Sequence, residues 1–229
     1  MRFELYGSPH SLFTYKVALM LRLSGASFAF RYISFQKGMH REAGFLALSR
    51  WGQVPVLKDN GDVFLQSQAI VEHLAATLGC FQAAIARQRQ DVREWLCWTS
   101  DVLTPPIFNS YGVVLGERKL LPITVDPAIA RYHRERADRA LGVLDGHLAG
   151  RDALVGDKLT VADLYCCGDI AFARLCDFPL DRYPHVGRWL ARVEALPGFA
   201  APFELLAMQD AQVSGALAED EGTGRPPSD

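Results

Sequence analysis

Residues 54–79, Val-Pro-Val-Leu-Lys-Asp-Asn-Gly-Asp-Val-Phe-Leu-Gln-Ser-Gln-Ala-Ile-Val-Glu-His-Leu-Ala-Ala-Thr-Leu-Gly, hold the decisive pattern of this 229-residue chain. Val54-Pro55-Val56-Leu57 and Val63-Phe64-Leu65 are short apolar runs flanking Asp59-Asn60-Gly61-Asp62. Asn-Gly between two such runs is the strongest short-range signal for a β-hairpin. From Gln68 to about Leu78 the apolar period lengthens to that of a helix, and Gly79 follows as a stop. The segment therefore predicts β-β-α. Upstream, Phe3-Glu4-Leu5-Tyr6 reads as a strand, Gly7-Ser8-Pro9 breaks it, and Leu12, Val17, Leu19, Met20 and Leu23 fit a helix ended by Gly25. A second strand over 28–33 completes a β-α-β unit, for which parallel pairing is expected.

Beyond about Gln82 the strand signals stop. Segments 82–115, 127–149, 161–176 and 184–196 carry helical spacing punctuated by prolines, including Pro105-Pro106, and predict an all-helical second half. The organisation expected is a first domain over 1–80, a helical domain over 88–208 and a mobile acidic tail over 209–229, where small, polar and acidic residues cannot bury enough apolar surface to offset their ordering entropy.

Composition narrows the function. Hydrophobic residues make up 49% and charged residues 22%, so a sizeable core is expected. With a net charge of −2 and no basic block, nucleic acid is excluded as the main partner. No apolar run is long enough to span a bilayer, and the first residues lack the pattern of a signal peptide. Five cysteines without a CxxC spacing argue against a disulfide framework or a zinc cluster and point to a reducing cytoplasm. Residues 1–80 hold 8 Lys/Arg against 5 Asp/Glu, a balance suited to an anionic ligand.

The residues that can carry chemistry are modest taken singly. Ser11 stands at the start of the first helix and Gln66-Ser67 at the start of the helix after the hairpin. Each serine reads as an ordinary N-cap, or as a hydroxyl beside free N–H groups where an anion can bind. Val54-Pro55 opens a strand, and by frequency a trans peptide bond is expected there. Thr160-Val161-Ala162-Asp163 has the T-x-x-D form of a capping box ahead of an apolar helix, so Thr160 and Asp163 are structural candidates. Trp95, Trp98, Phe108 and Tyr111 share one long helical segment, where aromatic residues more often build core.

Together these features resemble the cytosolic glutathione transferases. The resemblance covers about Phe3 to Phe203 and rests on three stretches in order: 5–25 (LYGSPHSLFTYKVALMLRLSG), 44–79, which contains the V-P dipeptide and the Q-S pair, and 154–170 (LVGDKLTVADLYCCGDI), which is similar to the family's G-D-x-x-(S/T)-x-A-D helix start. It implies a thioredoxin-like β-α-β-β-β-α domain followed by an all-α domain. It also implies glutathione as co-substrate, no metal, a small electrophilic second substrate and a homodimer. Ser11 matches the hydroxyl with which serine-type members stabilise the glutathione thiolate, with Ser8 and Thr14 as alternatives. His40 and Arg41 match contacts to the glycyl end, Gln53 and Val54 the residues before a cis proline (Pro55) that pair with the cysteinyl part, and Gln66 and Ser67 the pair holding the γ-glutamyl end. Trp51 falls where some classes place an aromatic dimer key, or it shields the loop. Pro9, His10, Trp98, Phe108 and Tyr111 are expected around the second substrate. Glutathione-dependent reduction of peroxides or disulfides, and a non-catalytic binding protein on the same fold, are the alternatives.

The energetics of the serine reading close. A thiol titrating near pH 8.5 must shift by about two units, roughly 2.7 kcal/mol, to be mostly thiolate at neutral pH. One hydroxyl hydrogen bond to a charged group supplies about 1.5–3 kcal/mol and a helix N-terminus about 0.3–1.

Overall fold

The computed structural model describes residues 1–206. The expected tail over 209–229 and the last residues of the expected helical domain lie outside them.

The hairpin forms as its sequence predicts. Strands β3 (Val56–Asp59) and β4 (Asp62–Leu65) pair antiparallel, Val56 opposite Leu65 and Asp59 opposite Asp62. The two turn residues take positive φ, 51° at Asn60 and 96° at Gly61, which is the twist a two-residue hairpin needs. Strand β1 (Phe3–Gly7) pairs antiparallel with β3 and parallel with β2 (Phe28–Tyr32), giving a four-stranded sheet of order β2-β1-β3-β4. Helix α1 (Leu12–Leu23) makes the parallel crossover, ending at Ser24 with Gly25 at φ 71° beyond it. A short 3₁₀ turn (Met39–Arg41) and helix α2 (Ala43–Leu46) fill the connection to β3, and helix α3 (Ser67–Leu78) follows β4. The first domain is thus thioredoxin-like.

The second domain is helical: α4 (Ala86–Trp98), α5 (Thr104–Glu117), α6 (Pro127–Leu148), α7 (Val161–Arg174), α8 (Pro184–Glu194) and the short α9 (Pro202–Leu205). Pro105-Pro106 do not break the helix as the sequence predicts. A π-helical segment (Thr99–Leu103) joins α4 to α5 without interruption. The prolines cannot donate to the carbonyls four residues back, and the wider π turn spans that gap in the ladder.

Packing explains the arrangement of the two domains. Between Leu12 and Leu21 every residue of α1 is buried except Phe13, which is half-buried. One face of α1 lies on the sheet and α3, and the other packs on α7. Helix α7 is itself covered from Val161 to Ala173, apart from the partly exposed Ala171, and forms the centre of the helical domain. Each fully buried leucine here, such as Leu12, Leu19 and Leu21, stabilises by about 1.5–3 kcal/mol. A smaller cluster of Ile33, Phe45 and Val56 seats the α2 connection on the opposite face of the sheet.

The α7 start is a capping box. Thr160 donates to Asp163 from its backbone N–H (2.7 Å) and from its hydroxyl (3.0 Å). Leu154 N–H and Trp189 Nε1–H each reach the other carboxylate oxygen at 2.8 Å. Burial pushes the Asp163 carboxyl up, and these donated bonds oppose that shift.

Candidate functional site

Two helices of the first domain begin at one cleft. Ser11 is the N-cap of α1 in extended conformation, and its Oγ accepts the Thr14 N–H at 3.2 Å. That bond leaves the Ser11 proton without an acceptor among the described residues. Ser67 is the first residue of α3, and the cap position before it belongs to Gln66. The first-turn N–H groups of both helices have no intrahelical carbonyl to reach, and both helix dipoles place positive potential at the cleft.

The cleft encloses about 370 Å³, within the range of small-molecule sites. Its polar side is made by Ser11, Gln53, Gln66 and Ser67, with Val54 and Pro55 between them. Its apolar side is made by Phe13, Phe108, Tyr111, Leu115 and Ile123. The Val54–Pro55 bond is cis, so the trans expectation drawn from frequency is corrected and the one drawn from the resemblance stands. Gln66 sits at φ 67°, ψ 115°, a conformation rare for a non-glycine residue and one that clusters at ligand-binding positions. Its Nε2 donates to Gln53 Oε1 at 3.2 Å, linking the two sides of the polar end.

The other hydroxyls near α1 also accept backbone N–H groups, and what sets them apart from Ser11 is their place outside the cleft lining. Thr14 Oγ1 lies 3.4 Å from Ser8 N–H, and Ser8 Oγ accepts the His10 N–H at 3.3 Å; neither residue lines the cleft. His10 does. Its Nδ1 is 3.1 Å from the Tyr111 hydroxyl, a contact between the β1–α1 loop and α5 that closes one side of the cleft. Burial pushes its pKa down to about 4, so the ring is neutral at pH 7. Burial also pushes the Tyr111 phenol well above its ordinary value.

The structure brings Ser11, Gln53, Val54, Pro55, Gln66 and Ser67 together, with His10, Phe108, Tyr111 and Trp51 around them. Trp51 is 50% exposed, with the Arg50 guanidinium over its ring at 4.3 Å. It does not bring Pro9 or Trp98 to the cleft. Pro9 is buried beside it, and Trp98 packs edge-on against Trp95 at 5.1 Å. His40 and Arg41 stand in the 3₁₀ turn outside the lining. His40 packs edge-on against Phe35, and Arg41 is exposed. Sequence reasoning missed Ser49, whose hydroxyl accepts the Gln53 N–H (3.0 Å) and donates to the Gln53 carbonyl (2.8 Å), locking the loop ahead of Val54. Serine four residues before the loop it clamps carries no periodic signal. Leu115 and Ile123 were also missed, because the way α5 and the connection after it lie over the first domain decides that they face the cleft.

Among the described residues no group of His, Cys, Asp or Glu is placed to hold a metal ion, and no helix is long and apolar enough to cross a membrane.

Comparison with known proteins agrees with this geometry. Residues 5–79 match the family model for the glutathione S-transferase N-terminal domain, and residues 114–197 that for its C-terminal domain. Glutathione S-transferase 3 of Zea mays is 30% identical over 207 residues, covering 86% of this chain and 90% of its own. The crystal structure of a glutathione S-transferase from Xanthobacter autotrophicus Py2 superposes with a TM-score of 0.79 at 32% identity, covering 89% of this chain and 98% of that one. A structure of Ure2p in complex with glutathione shares the fold, with a TM-score of 0.77 at 22% identity over 90% of this chain and 98% of that one. The likeness runs through both the thioredoxin-like domain and the helical domain and covers most of the relatives' own length, and the chain belongs to the glutathione S-transferase family.

Proposed function

We propose that this protein is a glutathione transferase that conjugates the glutathione thiolate to a small, apolar electrophile. Glutathione lies across the polar side of the cleft. Its γ-glutamyl carboxylate meets the α3 N-terminus at Ser67, its cysteinyl part runs along Gln53 and Val54, and its sulfur approaches Ser11. A neighbour of the same fold is a complex with glutathione, which supports glutathione as the ligand. The electrophile occupies the apolar side, near Phe13, Phe108 and Tyr111.

The observation that carries the reading is the Ser11 hydroxyl, which caps α1 through its oxygen and keeps its proton for a sulfur. In the reaction the thiol proton leaves to water and the O–H of Ser11 donates to the thiolate. Sulfur then attacks the electrophilic carbon; the C–S bond forms as the leaving group departs with its electron pair. Among the described residues no cysteine lines the cleft, which favours chemistry at the sulfur of glutathione over exchange through a protein thiol. A homodimer in the cytoplasm, with Trp51 at or near the interface, belongs to the same reading.

Ser11→Ala tests it. With a generic aryl halide, kcat/KM at pH 7 is expected to fall about 10- to 150-fold, the equivalent of one hydrogen bond to a charged group. The pH–rate profile is expected to shift toward alkaline pH. An unchanged rate and profile sink the assignment of Ser11.

A further inference from the structure

The Ser67 hydroxyl has an unexpected partner. It lies 3.0 Å from the phenol oxygen of Tyr165, a residue of α7 in the other domain. Tyr165 Oη is also 3.2 Å from Ser100 Oγ in the π segment, and Ser100 donates to Gln68 Oε1 at 2.9 Å. The Gln68 amide nitrogen is turned to Glu72, at 3.3 Å, which directs its oxygen to Ser100. A seam of polar groups therefore runs from α3 through the helical domain and back to α3.

The seam is built firmly. Lys16 Nζ lies 3.8 Å above the Tyr165 ring, 2.8 Å from Asp169 Oδ2 and 3.0 Å from Thr104 Oγ1. Tyr165 and Asp169 are four residues apart and share one face of α7. Gly168 lets that face come close, since a Cβ there would stand 2.5 Å from Lys16 Cγ. The tyrosine ring is 2% exposed and has little freedom to move.

Each hydroxyl has one proton, which sets the direction of the chain. The Ser100 proton goes to the Gln68 carbonyl, so Tyr165 donates to Ser100 and Ser67 donates to Tyr165. A carboxylate at the α3 N-terminus reverses part of this order. It draws the Ser67 proton to itself, and the Tyr165 O–H turns about its C–O bond to donate to Ser67. No heavy atom has to move.

We propose that Tyr165 is a positioning residue for the anionic end of the peptide, holding the Ser67 hydroxyl in place and donating to it when a carboxylate binds. The proposal rests on the glutathione reading above and adds a contribution from the helical domain to a site otherwise made by the first domain. Hydrogen bonds feeding a charged acceptor are stronger than those among neutral hydroxyls, so loss of the phenol weakens the bound state more than the empty one.

The test is Tyr165→Phe, which keeps the ring over Lys16. Calorimetry with glutathione is expected to show Kd raised about five- to tenfold, with KM for glutathione rising in parallel. The kcat with an aryl halide and the pH–rate profile, both governed at Ser11, should stay as in the unmodified protein. In a Ser67→Ala background the same change should add less than about twofold, because the two groups act as one unit. Wild-type affinity in Tyr165→Phe, or full additivity with Ser67→Ala, overturns the proposal while leaving the glutathione reading intact. Absence of glutathione binding by the unmodified protein at millimolar concentration overturns both. Should Tyr165→Phe fold poorly, a glutathione-bound crystal of the unmodified chain decides: Ser67 Oγ within about 3.2 Å of both the ligand carboxylate and Tyr165 Oη is expected. A Ser67 hydroxyl turned away from Tyr165 in that crystal refutes it.

Discussion

His10 shows how one side chain ties the cleft to stability. Its folded pKa of about 4 lies below the ordinary value of 6.5, with burial as the cause. A depressed histidine favours the neutral form in the fold, so its contribution is fully present above pH 6.5 and is lost as the pH falls toward 4. The shift corresponds to about 3 kcal/mol. Urea unfolding at pH 7 and pH 4.5 is expected to show a drop in stability that His10→Gln largely removes; equal pH slopes in both proteins contradict the assignment. Other residues differ in how legible they were. Ser11 and Ser67 were visible as hydroxyls opening helices after strands. Ser11 proved to be the cap, whereas the cap position of α3 fell to Gln66 and the Ser67 hydroxyl went to Tyr165. A cap is written in local sequence, but a partner on another domain is not.

At the scale of elements, α7 is the helix on which the second domain is assembled. The Thr160–Asp163 box was readable from its T-x-x-D spacing. The bonds from Leu154 and Trp189 to the same carboxylate were not, since both come from outside the motif. Asp163→Asn keeps the size but offers one acceptor oxygen to four donors, and its amide faces donors. Stability is expected to fall by about 2–4 kcal/mol, measured by urea or thermal unfolding. A loss below about 0.5 kcal/mol contradicts this account of the start of α7. The α4–π–α5 segment shows the converse. Pro105-Pro106 read as a break, yet the chain continues through a π turn that brings Ser100 to Tyr165 and Thr104 to Lys16. Local propensity marked the irregular place correctly, and packing against α1 and α7 chose how it was resolved.

Across the whole molecule, the two domains are joined through α1 and α7, and the Lys16–Asp169 pair lies between them with both side chains fully buried. Burial pushes the Asp169 carboxyl up, while Lys16 beside it pulls the other way. Lys16→Met leaves an uncompensated carboxylate in the interior and is expected to cost about 3–5 kcal/mol. Lys16→Met combined with Asp169→Leu should recover most of that loss, because replacing both partners removes the unpaired charge. Denaturant midpoints of the single and double variants check this, and a double variant no better than the single one contradicts it. Lysine in a helix reads as a solvent-facing residue, so nothing near Lys16 announced its burial. The sequence by itself determined the strands, the hairpin and the helix starts, because turn chemistry, capping and hydrophobic period act over a few residues, whereas the serine and glutamine positions of the polar cleft were legible as a site only through the family resemblance. Only the tertiary structure decided the Ser67–Tyr165 contact, the buried ion pair and which aromatic side chains face the cleft. Those depend on how α7 and α5 lie against the first domain, and they join residues about one hundred or more positions apart.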